Sequence, residues 1–305
     1  MMASKRVVVL HGGTSDEREI SLRSGAAVVD ALDASGLQVD TFDPRFGVQA
    51  LARAVEPSGT IVFNALHGGT GENGSVQGLL EVMEVPYTHS GVRASALAMY
   101  KPASRDIFAA HGLNVAHGLV VCRDKLAARD PMPRPYVVKP LAGGSSIGVK
   151  ILRDGDAPPE PSAGSERDPV LVEEYVPGRE ITAAVLDGRP LSLLEIRAHG
   201  SFYSYDSKYK SDRTEYLEPD DLPDDVREAV LHAALRAHEL LGCRGVTRSD
   251  FRLDDTSGGY RLVLLEVNTQ PGLTRTSLVP KLARQAGMSF EELCRWMVED
   301  ASCPR

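Results

Sequence analysis

The chain is expected to be an α/β protein that opens as a sheet of buried strands and turns α+β in its C-terminal half. Three observations carry this. Short apolar runs stopped by glycines, "RVVVLHGG" and "GTIVFNALHGG", have the form of buried parallel strands. Segments with helical periodicity follow them, "SLRSGAAVVDALDASG" and "SVQGLLEVMEV". Beyond residue 178, long strands succeed one another, as in "REITAAVLDGRPLSLLEI", before amphipathic helices close the chain.

In chain order, the first ninety or so residues read strand, helix, strand ("QVDTFDP"), strand, helix. That order implies an open α/β sheet whose ligands lie beyond the carboxyl ends of its strands. Both "HGGTSDERE" and "HGGTGENGS" sit at such ends. From about Ser95 to Gly178 come the helix "KPASRDIFAAHG", the strand "YVVKPL", a Gly-rich turn, the strand "IGVKIL" and, further on, the strand "VLVEEYV". Between the last two, "RDGDAPPEPSAGSERDP" reads as an exposed loop. The C-terminal part adds a polar segment, "SFYSYDSKYKSDRTEYLEP", a helix, "DDVREAVLHAALRAHELLG", two strands, and the helices "SLVPKLARQAG" and "SFEELCRWMVEDA". These shifts divide the chain into 1–94, 95–178 and 179–305, a division that 305 residues can sustain.

Composition excludes several classes. A net charge of -8 argues against a nucleic-acid backbone binder, which is normally basic. No apolar run is long enough to span a membrane, and "MMASKRVVVLHGG" enters a strand without a signal-peptide pattern. Cys122, Cys243, Cys294 and Cys303 form no CxxC pair, so neither a zinc site nor a disulfide framework is indicated, and a reducing cytoplasmic setting fits best.

The most informative chemistry lies in "TRSDF" and "LLEVNTQPG". Residues two apart on a strand share a face, so Arg248 points with Asp250, and Glu266 with Asn268. Neighbouring strands can then gather two carboxylates, an amide oxygen and a guanidinium. Such oxygens suit a hard cation such as Mg²⁺. A buried Arg-Asp ion pair plus an Asn turn is the simpler alternative.

In "VVKPLAGGSSIGVK", Lys139 precedes the glycines and a strand follows them. A Walker loop needs the lysine after the glycines and a helix next; a nucleophile elbow also needs a strand-to-helix turn. A hairpin flap remains, whose amides and hydroxyls can meet phosphate oxygens, or simply a tight hairpin. Lys101 opens a helix, where a cation is unfavourable unless it reaches a ligand, and Lys208 lies in a lid-like segment. In "TSDEREIS", Ser15 or Asp16 can cap the following helix, or Glu17 can hold a substrate amine. His67 falls at a strand end, where a lone histidine is more often structural.

Together and in this order, these motifs resemble those of the D-alanine–D-alanine ligases of the ATP-grasp superfamily, from "VVVLHGGTSDEREISLRSG" through "FNALHGGTGENGSVQGLLE" and "KYKSDRTEY" to "LLEVNTQPGLTRTSLVP". The resemblance implies an ATP-grasp fold behind an N-terminal open α/β domain. It implies that Glu17 holds the ammonium of a first D-alanine, with Ser145 and Tyr209 linking Glu17 to the lid. Lys101, Lys139 and Lys208 would bind ATP phosphates, and Glu173, Val176 and Glu180 adenine and ribose. Asp250, Glu266 and Asn268 would ligate two Mg²⁺ ions, or Mn²⁺, while Arg248 and the Gly272 amide stabilise an oxyanion. Ser277 and Leu278 would line the second D-alanine site, with His67 a further substrate contact. A homodimer is implied as well. Tyr209 after the lid lysine favours an amine acceptor over D-lactate; a paralogue with another amino- or hydroxy-acid acceptor is the alternative, followed by a non-catalytic nucleotide-binding module. Three positions depart from the family pattern: Gly143 where an acid is usual, Tyr100 where Asp is usual, and a Pro- and Gly-rich stretch at 153–169 where a helix is usual.

Overall fold

The computed structural model describes residues 6–57, 59–157, 168–198, 214–256 and 258–305. Its first sheet has β1 (Arg6–Leu10) at the centre, in parallel with both β2 (Val39–Phe42) and β3 (Thr60–Asn64). Every residue of β3 is buried, as its unbroken apolar run requires. Helix Arg18–Ala34 carries the chain from β1 to β2, and helix Val48–Ala54 from β2 to β3. The second of these corrects the expected element order. Two strands parallel to the same neighbour need a crossover between them. This helix buries only Leu51, too little periodicity to read from sequence.

The second sheet is antiparallel, ordered β4-β7-β5-β6, with β4 (Gly118–Cys122), β5 (Tyr136–Pro140), β6 (Lys150–Leu152) and β7 (Pro169–Glu174). β5 and β6 form the expected hairpin, but β6 begins only at Lys150. Ser145 and Ser146 hold φ of 53° and 58°, so the chain is still turning where "IGV" was expected to extend. β4 and helix Arg123–Ala128 escaped the sequence reading, because no residue of β4 is fully buried and its faces do not alternate. Most of the Pro- and Gly-rich stretch falls in 158–167, outside the described residues.

The third sheet is antiparallel, ordered β10-β9-β8-β11-β12, with β8 (Arg179–Leu186), β9 (Arg189–Ala198), β10 (Thr214–Leu217), β11 (Val246–Asp254) and β12 (Arg261–Asn268). Asp187 and Gly188 join β8 to β9 with φ of 54° and 63°, the double positive φ that an Asp-Gly hairpin favours. Helix Asp224–Leu241 lays Val226, Val230, Ala233, Ala234, Ala237 and Leu241 on this sheet, an i, i+3, i+4 stripe, and ends at Gly242. The helices Leu278–Gln285 and Phe290–Asp300 do something else. Val279, Leu282, Leu293 and Met297 share one core with Val7, Val9 and Phe63 of the first sheet and Ala184, Leu186 and Leu194 of the third. The last residues of the chain therefore weld its first sheet to its third.

Candidate active site

The site begins with strand register. β11 and β12 run antiparallel, pairing Arg248 with Asn268 and Asp250 with Glu266. Directly opposed residues share a face, so all four functional groups stand together, as the two-residue spacing predicts. Arg248 grips Asp250 in two bonds, Nε to Oδ1 at 2.9 Å and Nη2 to Oδ2 at 2.7 Å. Asn268 Oδ1 accepts from the Gln270 amide at 2.9 Å. The simpler alternative, an ion pair plus an Asn turn, is thus present in the fold. It coexists with a pocket, because Arg248, Glu266 and Asn268 all line open space.

Lys101 comes to the same place from the start of helix Lys101–Ala110. It is buried; its Nζ donates to the Gly143 carbonyl at 2.6 Å and lies 3.5 Å from Glu266 Oε2. The ligand that a lysine at a helix start needs is therefore the flap itself. Backbone contacts tighten this link: Tyr100 bridges Ala142, and the Lys101 amide donates to the Leu141 carbonyl at 2.9 Å. Gly143 turns its carbonyl toward the lysine with φ of 120°, a conformation that side-chain-bearing residues seldom adopt. The two departures from the family pattern, Tyr100 and Gly143, thus meet at one latch.

Lys139 and Arg105 both pair with the buried carboxylate of Glu173, Arg105 at 2.8 Å. Lys139 and Glu173 also line a cleft of about 990 Å³ with Lys101, Val176, Glu180, Asp250 and Glu266, and with the flap residues Gly143, Gly144 and Ser146 on its border. Val137, Val149, Ile151 and Leu265 give it an apolar section beside its charged groups. Glu174 lines it too. Burial opposes its ionisation, yet the His117 amide and the Arg261 guanidinium hold its carboxyl below the usual range.

A second pocket, of about 760 Å³, adjoins the first through Gly144 and Glu266, which line both. Glu17, His67, Ser145, Arg248, Gly272, Ser277 and Leu278 surround it. Neither Ser15 nor Asp16 caps helix Arg18–Ala34; Glu17 is its N-cap residue and makes no capping bond with its side chain. The Glu17 carboxylate instead accepts a hydrogen bond from the Ser145 hydroxyl of the flap. That outcome corrects the capping reading. Buried His67 contacts Ser24 Oγ through Nε2 at 2.9 Å and Glu72 Oε1 through Nδ1 at 3.3 Å.

Sixteen residues apart in sequence, Asp250 and Glu266 face each other across β11 and β12, with Asn268 two residues further on. Two carboxylates and an amide oxygen suit Mg²⁺, and among the described residues no cluster of three or more His, Cys, Asp or Glu side chains competes with them. The donor set fits the metal. Lys208 and Tyr209 lie outside the described residues. The other expected positions line one or both pockets.

Sequence reading missed several participants. Thr182 Oγ1 donates to Asp250 Oδ1 at 2.7 Å from β8. Arg252 also lines the first pocket, its Nε donating to the Val176 carbonyl at 3.1 Å and its Nη2 to the Gly178 carbonyl at 2.6 Å. The two-residue rule that grouped Arg248 with Asp250 extends to Arg252, so that signal was available. Gln270 ties the ends of β3 and β12 together, donating to the Leu66 carbonyl and accepting from Asn64 Nδ2 at 2.8 Å.

Comparison with known proteins gives the family of the chain. The family model described as D-ala D-ala ligase C-terminus matches residues 108–299, and that described as D-ala D-ala ligase N-terminus matches 45–90. A D-alanine–D-alanine ligase of Granulibacter bethesdensis is 50% identical over 305 residues, covering 99% of both chains. That of Paramagnetospirillum magneticum is 51% identical over 303 residues, covering 98% of this chain and 99% of the relative. The crystal structure of the Bacillus anthracis D-alanine–D-alanine ligase superposes with a TM-score of 0.80 at 30% identity, over 97% of this chain and 96% of that one. The same enzyme complexed with ATP gives 0.78 at 29% identity, over 98% and 97%. With its ATP-grasp architecture and near-complete overlap with these relatives, the chain belongs to the D-alanine–D-alanine ligase family.

Proposed function

We propose that this chain joins two D-alanines into D-alanyl-D-alanine for peptidoglycan precursors, using ATP and releasing ADP and phosphate. One observation carries the reading: a part-apolar cleft bearing Lys101 and Lys139 and a polar pocket meet at Gly144 and Glu266, so a phosphate in one would adjoin a carboxylate in the other. The first D-alanine carboxylate attacks the γ-phosphate and gives an acylphosphate and ADP. The amine of the second D-alanine then attacks the acyl carbon, and phosphate leaves. Positioning and charge neutralisation dominate such chemistry.

In this reading Glu17 holds the ammonium of the first D-alanine, with His67 beside the pocket, and Ser145, with Tyr209 of the lid, keeps Glu17 in place. Lys101, Lys139 and Lys208 meet the phosphates; Glu173, Val176 and Glu180 face adenine and ribose. Arg248 and the Gly272 amide receive the oxyanion, and Ser277 and Leu278 line the acceptor's place. Magnesium held by Asp250, Glu266 and Asn268, as two ions with manganese as a substitute, would supply charge neutralisation at the phosphates. The lid keeps water from the acylphosphate. The reading includes three domains bounded near residues 94 and 178, a cytoplasmic location and a homodimer, all supported by family resemblance; sedimentation of the purified chain checks the last.

Coupled ADP release with D-alanine, D-serine and D-lactate as acceptors tests the whole. D-alanine-dependent ADP release with the dipeptide as main product is expected. Tight ATP binding with no amino-acid-dependent turnover would refute it.

A further inference from the structure

Tyr216 is among the residues of the second pocket to which the roles above give no task. Tyr216 of β10 lines that pocket with Ser277 and Leu278. It pairs with Ile196 of β9 and packs against both Ile196 and Leu278. β10 is four residues long and lies at the edge of its sheet among the described strands. A cation also sits on the ring. Lys281 Nζ sits 3.6 Å from the centroid of the Tyr216 ring. Lys281 belongs to helix Leu278–Gln285 and donates its amide to the Ser277 carbonyl, one turn back. Burial, with Arg284 nearby, holds the ammonium below the usual lysine range, so the cation is partly stripped of water. Cation–π attraction is strongest under that condition.

We propose that Lys281 and Tyr216 form a fixed aromatic wall that limits the size of the acceptor amino acid, Tyr216 as the contact and Lys281 as its positioning residue. The inference rests on the ligase reading, in which Ser277 and Leu278 line the acceptor's place, and it deepens that reading toward specificity. Lys281 clamps the strand that bears the ring to the helix that bears Ser277 and Leu278. A wall built before the acceptor arrives spares the small substrate an ordering cost. The same wall meets a bulkier side chain with a clash that a loose ring would avoid.

Competing acceptors test this with the full chain. ADP release confirms turnover with D-alanine, and the ratio of mixed to simple dipeptide with D-valine present gives the relative kcat/KM of the two acceptors. In Lys281→Met that ratio should rise about two- to thirtyfold, the range that a cation–π contact of about 0.5–2 kcal/mol spans. Lys281→Arg should keep the wild-type ratio, Tyr216→Leu should raise it further, and the KM for ATP should stay within about twofold throughout. An unchanged ratio in Lys281→Met overturns the proposal, as does a shift in ATP KM of the same size. Should Lys281→Met fail to fold, the ratio in Tyr216→Leu decides alone, and no change there overturns it. A wild-type chain that releases ADP but is indifferent to Tyr216 defeats this inference only; one that releases none defeats the ligase reading too.

Discussion

The Ser145 hydroxyl donates to the Glu17 carboxylate, a bond between residues 128 apart that pins the flap to the N-terminal sheet's first helix. The flap thereby serves two pockets, bordering both with Gly144 and the second with Ser145. Ser145→Ala is expected to lower kcat/KM for D-alanine about ten- to a hundredfold, the worth of a hydrogen bond to a charged group. The KM for ATP should move far less. Steady-state kinetics with each substrate varied separates these; an equal rise in both KM values would contradict the assignment.

Gly143 offers a sterically clean probe. A Cβ there would meet nothing within 4 Å, yet its φ of 120° disfavours any L side chain. Gly143→Ala therefore acts through the backbone alone, at a strain of about 1–3 kcal/mol. Relief of that strain turns the carbonyl away from Lys101. A rise of roughly tenfold in the KM for ATP, with the D-alanine KM little changed, is expected from nucleotide titrations. ATP affinity equal to wild type would mean that the latch has no part in nucleotide binding.

Arg248 grips Asp250 in two bonds and reaches the second pocket. Arg248→Ala should lower kcat about 10²- to 10³-fold, as for other donors that meet charge developing in a transition state. Arg248→Lys should recover little, since an ammonium cannot reproduce the two-pronged bond. Rapid-quench measurement of the chemical step is the check, and an unchanged kcat in Arg248→Ala would remove Arg248 from the oxyanion role.

Stability should fall in mild acid. Burial depresses the His89 imidazole to about 3, with Arg305 and His67 adding to the effect, and burial depresses His238 to about 4. Between those values and the ordinary 6.5, the unfolded chain binds protons that the fold refuses. The stabilising contribution is therefore complete above pH 6.5 and is lost as pH falls toward 4 and then 3, each histidine costing about 1.4 kcal/mol per pH unit. Urea midpoints at pH 7 and pH 5 should differ, and less so in His89→Asn. Asparagine tolerates the positive φ of that position better than most residues. Identical pH dependence in wild type and variant would contradict a buried neutral His89.

Much of the site was legible because strands convert spacing into facing. Arg248, Asp250, Glu266 and Asn268 needed only the two-residue rule, and antiparallel pairing brought them together. Glu17 was legible as a choice between cap and ligand, which only its distant partner Ser145 could decide. Thr182 and Gln270 were not legible: each acts through a bond to a strand whose neighbour the sequence does not name. The fold failed to show itself where burial was slight, at β4 and at helix Val48–Ala54 with its single buried leucine. The flap's left-handed serines also evade prediction, since nothing local in "GGSS" marks both serines, as well as Gly143, for positive φ.

The core shared by Val7, Val9 and Phe63 with Val279, Leu282, Leu293 and Met297 has a consequence for how the protein is made. A ribosome delivers the parallel sheet first and its packing partners last. At usual elongation rates of about 5–20 residues per second, roughly 10–40 s separate the two. Through that interval this face of the nascent sheet is covered only in part, by Val28, Ala31 and Leu32 of helix Arg18–Ala34. The growing chain thus depends on whatever shelters exposed hydrophobic surface in the cell until its final helices emerge.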